Sequence, residues 1–101
     1  MPYKIIVTQE AQIDLDENFI WYEEQKENLG FDFINAFERT LDNIVNNPFY
    51  ASLIDDDARS ASLIRFPYAI IYRFLEEKQE VRTLAIIHQH RNPQWISSRI
   101  K

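Results

Sequence analysis

The chain has 101 residues, the length of one domain with one core, and 46% of them are apolar, which argues against disorder. It contains no cysteine, so a disulfide framework and thiolate chemistry are excluded. The start of the chain lacks a signal-peptide pattern, and no apolar run approaches the roughly 18 residues of a membrane span. We therefore expect a single domain over residues 1–101, located in the cytoplasm and without membrane contact.

Charge is distributed unevenly along the chain. Residues 1–57 carry 3 basic and 13 acidic side chains, whereas residues 58–101 carry 8 basic and 3 acidic ones, and the formal net charge is −5. One interpretation is a protein with two faces that meet different partners. The other is a solvated acidic helix surface with scattered arginines, and composition alone does not separate the two.

The first half of the chain predicts a strand followed by a helical hairpin. Residues Tyr3–Val7 alternate as a strand does, and Thr8 is a suitable N-cap for a helix that follows. This helix should run to about Asn28 and stop at Gly30, the one glycine of the chain. A second apolar stripe of helical spacing should end before Pro48, because the residue before a proline disfavours helical backbone.

The second half of the chain predicts three strands. Phe49–Ala58 is expected to be a connection, in which Asp55–Asp57 forms a solvated turn rather than a cation loop. Apolar residues on both faces indicate central strands at Ala69–Leu75 and Val81–Ile87, preceded by a strand over Ser60–Phe66. We therefore expect an α+β fold with an N-terminal strand, a two-helix hairpin and a three-stranded antiparallel meander, both helices lying on one face of the sheet.

A single core should lie between the helix hairpin and the sheet. Its expected members are Ile5, Leu15, Phe19, Phe37, Leu41, Ile71 and Leu84. We also expect a short C-terminal helix after Pro93, with Trp95 packing back onto the domain.

Several short motifs occur in a characteristic order. They are Ala11…Asp14-Leu15, Trp21-Tyr22, Gly30-Phe31-x-Phe33, Asn47-Pro48, Ala58-Arg59, Arg65-Phe66-Pro67-Tyr68 and His88-x-x-Arg91-Asn92-Pro93…Trp95. The ordered set covers nearly the whole chain, resembles the RelE/ParE toxin superfamily and is closest to its ParE-like branch. The resemblance implies a toxin of a type II toxin–antitoxin module, or plasmid stabilisation protein, which inhibits growth and is neutralised by a cognate antitoxin.

The resemblance implies two alternative targets. ParE-like members poison DNA gyrase, whereas RelE-like members cut mRNA at the ribosome without a metal, so we expect no cofactor. RelE-like nucleases are usually basic, while this chain has a sequence pI near 4.9. Ala69 follows Tyr68 where those nucleases have an arginine, and Trp95 lies near the place of their C-terminal tyrosine. These departures favour a protein target over RNA.

Candidate catalytic residues lie at the end of the last strand. For metal-free RNA cleavage, His88 and His90 could act as base and acid, while Arg65 and Arg91 could hold the phosphate. The two histidines also permit a metal pair, but no third ligand is evident, so we expect no metal. For His88, a strand-end histidine bonded to backbone is an equal alternative, and Arg91 could belong to a turn that anchors the tail.

A binding role requires a different set of residues. Those expected to contact the antitoxin or the target are Arg59, Arg65, Arg73, Arg91 and Trp95, because a basic surface suits the acidic tail of an antitoxin. We interpret the chain as a ParE-like toxin that binds a protein target such as DNA gyrase. A ribosome-dependent mRNA endoribonuclease is the alternative, and a degenerate relative that binds only its antitoxin is a third interpretation. A homodimer and a toxin–antitoxin hetero-oligomer both fit the sequence.

Overall fold

Two helices pack on one face of a five-stranded mixed sheet in a computed structural model that describes residues 3–89 and residue 100. Along the chain the elements are β1 (Lys4–Val7), α1 (Gln9–Gln25), α2 (Leu29–Asn46), β2 (Ser52–Leu53), β3 (Ala58–Ser62), β4 (Tyr68–Leu75), a 3-10 turn (Glu76–Lys78) and β5 (Glu80–His88). The strand order is β1-β5-β4-β3-β2, with β1 parallel to β5 and the other pairs antiparallel. The expected α+β class is confirmed.

The expected connection after α2 contains the additional strand β2, which pairs with β3 at the edge of the sheet. Arg59 holds this segment, because its Nη1 donates hydrogen bonds to the carbonyl oxygens of Phe49 (3.2 Å) and Ala51 (2.7 Å). A two-residue strand shows too little alternation to be recognised in a sequence. β3 also starts and ends earlier than expected, because the residues after Leu63 form the turn into β4.

The helical hairpin turns at Asn28 and not at Gly30. Thr8 caps α1 as expected, since its Oγ1 accepts a hydrogen bond from the Ala11 N–H (3.2 Å), but α1 ends before Asn28, which takes the left-handed conformation with φ 72°. Gly30 lies in the first turn of α2. A Cβ there would lie 2.7 Å from the carbonyl oxygen of Phe19, so the close approach of the two helices requires this glycine.

Apolar side chains cover both faces of the central strands. The helix-side core joins α1 and α2 to the sheet, and its buried members include Leu15, Phe33, Phe37, Ala61, Ile70, Tyr72, Val81 and Ile86. A second cluster lies on the other face and consists of Ala58, Ile71, Leu84, Ala85, Ile87 and Ile100. The expectation of a single core is therefore wrong for Ile71 and Leu84. The register of β4 and β5 shifts between Ile71 and Tyr72, which leaves Leu84 without a counterpart and places it in the second cluster.

The other expected core members differ in burial. Leu15 and Phe37 are buried as predicted, and Phe19 and Leu41 are half-buried. Ile5 is 39% exposed, against expectation, because β1 is an edge strand of the sheet. An edge strand has a neighbour on one side only, so its side chains are less completely covered.

Tyr72 links β4 to the end of α2. The side chain is fully buried, and its hydroxyl donates a hydrogen bond to the carbonyl oxygen of Pro48 (2.7 Å). Burial raises the pKa of Tyr72 to about 12, and the nearby Tyr50 hydroxyl also raises it, while Arg59 partly opposes the shift. The phenol therefore stays protonated in the folded protein well above the pH at which an ordinary tyrosine ionises.

Replacing Tyr72 by phenylalanine should lower the free energy of unfolding by about 1–3 kcal/mol, because the Pro48 carbonyl would remain buried without its donor. Tyr3→Phe is the control, since the Tyr3 hydroxyl makes no hydrogen bond within the described residues and should be nearly neutral. Denaturant unfolding at pH 7 measures both variants. A Tyr72→Phe protein as stable as the parent would show that this hydrogen bond does not hold β4 to α2.

The same hydroxyl predicts a pH dependence of stability. The pKa of Tyr72 in the folded protein lies above the ordinary value of 10.0. The contribution of Tyr72 to the free energy of unfolding is therefore present below pH 10 and is lost as the pH rises toward about 12. The free energy of unfolding should fall over this interval, and the fall should be smaller in Tyr72→Phe.

Candidate interaction site at the ends of β4 and β5

His88 lies at the end of β5, directly opposite Tyr68 on β4. The two rings are in edge contact, with centroids 5.3 Å apart. Ile86, two residues earlier, belongs to the helix-side core, so His88 also points toward the face that carries the helices. The strand end thus places a half-buried imidazole beside a phenol.

Part of the predicted site lies outside the described residues. This part comprises His90, Arg91, Trp95 and the helix expected after Pro93. Their roles stay predictions. Of the predicted site, the structure describes His88 together with Arg59, Arg65 and Arg73.

The three described arginines occupy separate places. Arg59 shares the helix side with Tyr72, and its guanidinium is held by two carbonyl oxygens and lies 5.3 Å from the centroid of the Phe49 ring. Arg73 lies on the opposite face and pairs with Asp57, with Nε and Oδ1 2.7 Å apart. Arg65 lies in the turn between β3 and β4. The structure therefore does not bring these three arginines together into one surface.

Arg65 is the most accessible of the three. Its backbone takes a left-handed φ of 76°, which is uncommon outside glycine, and its guanidinium lies 6.0 Å from the centroid of the Phe66 ring. Within the described residues its side chain has no carbonyl or carboxylate partner. Arg65 and Arg39 line a cleft of about 420 Å³ beside α2, together with Asp32 and Asp42.

The acidic run Asp55–Asp57 lies in an exposed segment before β3. Asp57 binds Arg73, and Asp55 accepts a hydrogen bond from the Asp56 N–H (2.8 Å). Across residues 3–89, no group of three His, Cys, Asp or Glu side chains is placed to hold a metal ion. Over the same part of the chain, neither helix has the length and apolar composition needed to cross a membrane.

A cleft that the sequence analysis missed lies between α1 and the ends of β4 and β5. We call it the aromatic cleft; its volume is about 600 Å³. Its lining includes the aromatic side chains Trp21, Tyr22 and Tyr68 and the polar side chains Glu17, Asn18 and His88. Trp21 is 54% exposed, although such a large apolar side chain is usually mostly buried.

Tyr22 fixes the shape of the aromatic cleft. Its ring stacks on Phe33, with centroids 5.3 Å apart, and meets the Trp21 and Tyr68 rings edge-on at 5.0 and 6.1 Å. Burial raises the pKa of Tyr22, and the neighbouring Tyr68 hydroxyl raises it further, so the phenol stays neutral. Edge-to-face packing of this kind holds aromatic rings in defined orientations. The cleft is therefore already formed in the isolated chain.

Asp14 determines where α1 lies on the sheet. β1 pairs with β5 only as far as Thr83, so β1 does not cover the outer edge of β5 beyond that residue. On this edge the Oδ2 of Asp14 accepts a hydrogen bond from the Ile86 N–H (3.1 Å). Asn18 and Tyr22 follow Asp14 at intervals of four residues and share its side of the helix. The contact with Ile86 therefore positions the helical wall of the cleft.

The described residues at the same strand ends place no charged side chain on the opposite sheet face. Ala69 is buried there, and the neighbouring Gln89 donates from Nε2 to the Oγ of Ser62 (3.0 Å). Ala69 pairs with Ser62 on one side and with Ile87 on the other, and none of these residues is charged. His88 points away from this face, so it does not complete an acid–base site with them.

The fold is shared with several solved structures. One describes the chromosomal ParDE toxin–antitoxin system of P. aeruginosa, with a TM-score of 0.72, 19% identity and coverage of 85% of this chain and 95% of that chain. The isolated E. coli RelE toxin has a TM-score of 0.65 and 13% identity, and the match covers 96% of this chain and 95% of that chain. The Mycobacterium tuberculosis RelBE2 toxin–antitoxin complex has a TM-score of 0.62 and 20% identity, and the match covers 87% of this chain and 99% of that chain. At these identities the likeness concerns the fold alone.

The family itself is shown by a match along the sequence. No curated protein matches the chain. The family model described as the ParE toxin of the type II toxin–antitoxin system, parDE, matches residues 5–93. This range contains both helices and the five strands except Lys4, the first residue of β1. The chain therefore belongs to the ParE toxin family of type II toxin–antitoxin systems.

Proposed function

We propose that this toxin inhibits growth by binding a protein target such as DNA gyrase, and that a cognate antitoxin neutralises it. The observation that carries the choice of target is that the described residues at the ends of β3, β4 and β5 place no charged side chain on the sheet face opposite His88. Metal-free cleavage of RNA needs a base, an acid and a cation on the phosphate. Ser62, Ala69 and Gln89 provide none of these groups on that face.

The charge of α1 supports the same choice. Residues Gln9–Gln25 contain six carboxylates and no basic side chain. Such a surface repels the phosphate backbone of a nucleic acid, whose binding relies on neutralisation by Lys and Arg. A protein target is recognised by shape and local charge and needs no acid–base pair.

Exposed apolar side chains near β2 supply a surface for a protein partner. Phe49, Tyr50, Leu53 and Ile54 are 53, 46, 54 and 42% exposed. Apolar side chains exposed close together along a chain mark interaction sites more often than single ones do. The P. aeruginosa and E. coli structures with this fold are a toxin–antitoxin system and an intact toxin–antitoxin complex, which supports an antitoxin as one such partner.

A ribosome-dependent endoribonuclease is the second candidate, and one observation favours it. His88 and Tyr68 place an imidazole and a phenol side by side in the aromatic cleft, where Trp21 could stack on a base. His90 and Arg91, which the sequence offers as further catalytic groups, lie outside the described residues. Within the described part, the lining of this cleft includes Glu17 but no arginine or lysine to bind a phosphate.

Controlled expression of the toxin should arrest growth and induce a DNA-damage reporter while transcripts stay intact. Arrest should persist in His88→Ala/His90→Ala, because binding of a protein target requires no proton transfer. It should be lost in Arg91→Ala or after truncation behind Pro93, because these changes remove recognition groups. Growth curves, the reporter and transcript mapping are read in parallel, and each variant is checked for folding by circular dichroism.

The reverse pattern would favour the ribonuclease. It consists of transcripts cut by the wild type, arrest lost in the double-histidine variant and arrest retained in Arg91→Ala. This outcome would overturn the choice of a protein target and leave membership of the toxin family untouched.

The antitoxin should use carboxylates to bind Arg65, the most accessible of the described arginines. Arg65→Glu should weaken binding of the antitoxin at least about tenfold, because a like charge would replace the attraction at the interface. Arg82→Glu serves as control, since Arg82 already pairs with Glu80 (2.6 Å). Calorimetric titration with the product of the neighbouring reading frame measures both. Equal affinities of Arg65→Glu and the wild type would count against this contact.

A further inference from the structure

We propose that the aromatic cleft receives a guanidinium or ammonium side chain of the antitoxin. The cleft lies beside α1, whose residues Gln9–Gln25 include no basic side chain. The inference rests on the proposed function in one respect, because it takes the antitoxin to be the occupant. The chemistry of the occupant follows from the rings and charges of the cleft itself.

The rings of the cleft are suited to bind a cation. Trp21, Tyr22 and Tyr68 all line the cleft. The centroid of the Tyr22 ring lies 5.0 Å from that of Trp21 and 6.1 Å from that of Tyr68. A cation is attracted to the negative face of an aromatic ring within about 6 Å, most strongly to tryptophan. Trp21 and Tyr22 are in edge contact, so a cation in the cleft lies against the wall that these rings form and not between them, and it is within reach of more than one ring.

The charge of the cleft selects a cation over an anion. Glu17 lines the cleft. In the described part of the chain, its carboxylate belongs to no salt bridge. An anionic group would meet Glu17, and the described lining includes no arginine or lysine to compensate the repulsion. A purely apolar side chain would remove Glu17 and Asn18 from water without giving them a partner, which costs free energy.

The pairing of the described arginines points the same way. Arg73 binds Asp57 and Arg82 binds Glu80, so two cations of the basic half are already neutralised within the chain. The acidic helix α1, in contrast, has no basic residue between Gln9 and Gln25. The largest unbalanced charge described on the surface is thus negative, and a partner that complements it brings basic side chains.

A small-molecule probe tests the cleft without the antitoxin. The full-length chain is titrated with acetyl-arginine methylamide and, as a neutral probe of the same shape, acetyl-citrulline methylamide, at constant ionic strength. The indole N–H signal of Trp21, distinguished from that of Trp95 by a Trp95→Phe variant, reports binding in a ¹H–¹⁵N NMR spectrum. We expect a saturable shift with the arginine probe and a response at least about threefold weaker with the citrulline probe.

Two variants locate the charge that matters. Glu17→Gln should weaken the response to the arginine probe at least about threefold, because the carboxylate in the cleft is lost. Glu24→Gln, which removes an equal charge outside the cleft lining, should leave it unchanged. Equal responses to both probes, or equal losses in both variants, would overturn a cation site in the cleft. A Trp21 shift with an oligonucleotide and none with the arginine probe would also overturn it, in favour of nucleic acid.

Binding of the antitoxin then tests the occupant. Trp21→Ala should weaken its affinity about tenfold and Glu17→Gln about threefold, with Glu24→Gln as control. If the antitoxin binds the wild type and both cleft variants equally, the inference is overturned and the proposed function stands. If the product of the neighbouring frame does not bind the wild type at all, the proposed antitoxin partner is overturned, and the arginine titration still reports separately on the cleft.

Discussion

The hydrogen bond from the Ile86 N–H to Asp14 is the contact on which the arrangement of the molecule depends. β5 is a central strand, but β1 covers its outer edge only as far as Thr83. The remaining edge carries backbone N–H groups that need partners, and an unsatisfied one costs about 1–3 kcal/mol when buried. Asp14 supplies an acceptor from α1 across 72 residues of chain. Because β1 is short, α1 covers the rest of this edge of β5. The position of Asp14 along α1 sets where the helix lies on the edge.

The aromatic cleft is a consequence of that docking. Asp14 and Tyr22 lie on one side of α1, so anchoring the first brings the second over the end of β4. Tyr22 then stacks on Phe33 from α2 and faces Tyr68, which packs against His88 on β5. Both helices and the strands β4 and β5 thus contribute to one site. This site lies on the face opposite Ala69, and its described lining includes no arginine or lysine, so we propose for it a role in binding rather than in cleavage.

Much of the fold could be predicted from periodicity, but little of the site could. Helical spacing indicates both helices, alternation indicates β1, and apolar residues on both faces indicate β4 and β5, because burial leaves a local signature in each case. The role of Gly30 depends on how closely the two helices approach each other, and the sheet face on which Leu84 lies depends on a register shift. Neither feature leaves a pattern in the neighbouring sequence. His88 was recognised as a strand-end residue, whereas Trp21 lies 67 residues away and meets it only because Asp14 positions α1.

Amide hydrogen exchange at Ile86, measured by NMR in Asp14→Ala and Asp14→Asn, tests this account most directly. The asparagine keeps an oxygen acceptor at the same distance from the backbone, and the alanine does not. In Asp14→Ala the Ile86 amide should exchange about tenfold faster or more, and the Trp21 indole signal should move as the cleft loosens. In Asp14→Asn both should stay close to the wild type. Unchanged Ile86 protection and an unmoved Trp21 signal in Asp14→Ala would contradict the claim that this contact holds α1 in place and forms the cleft.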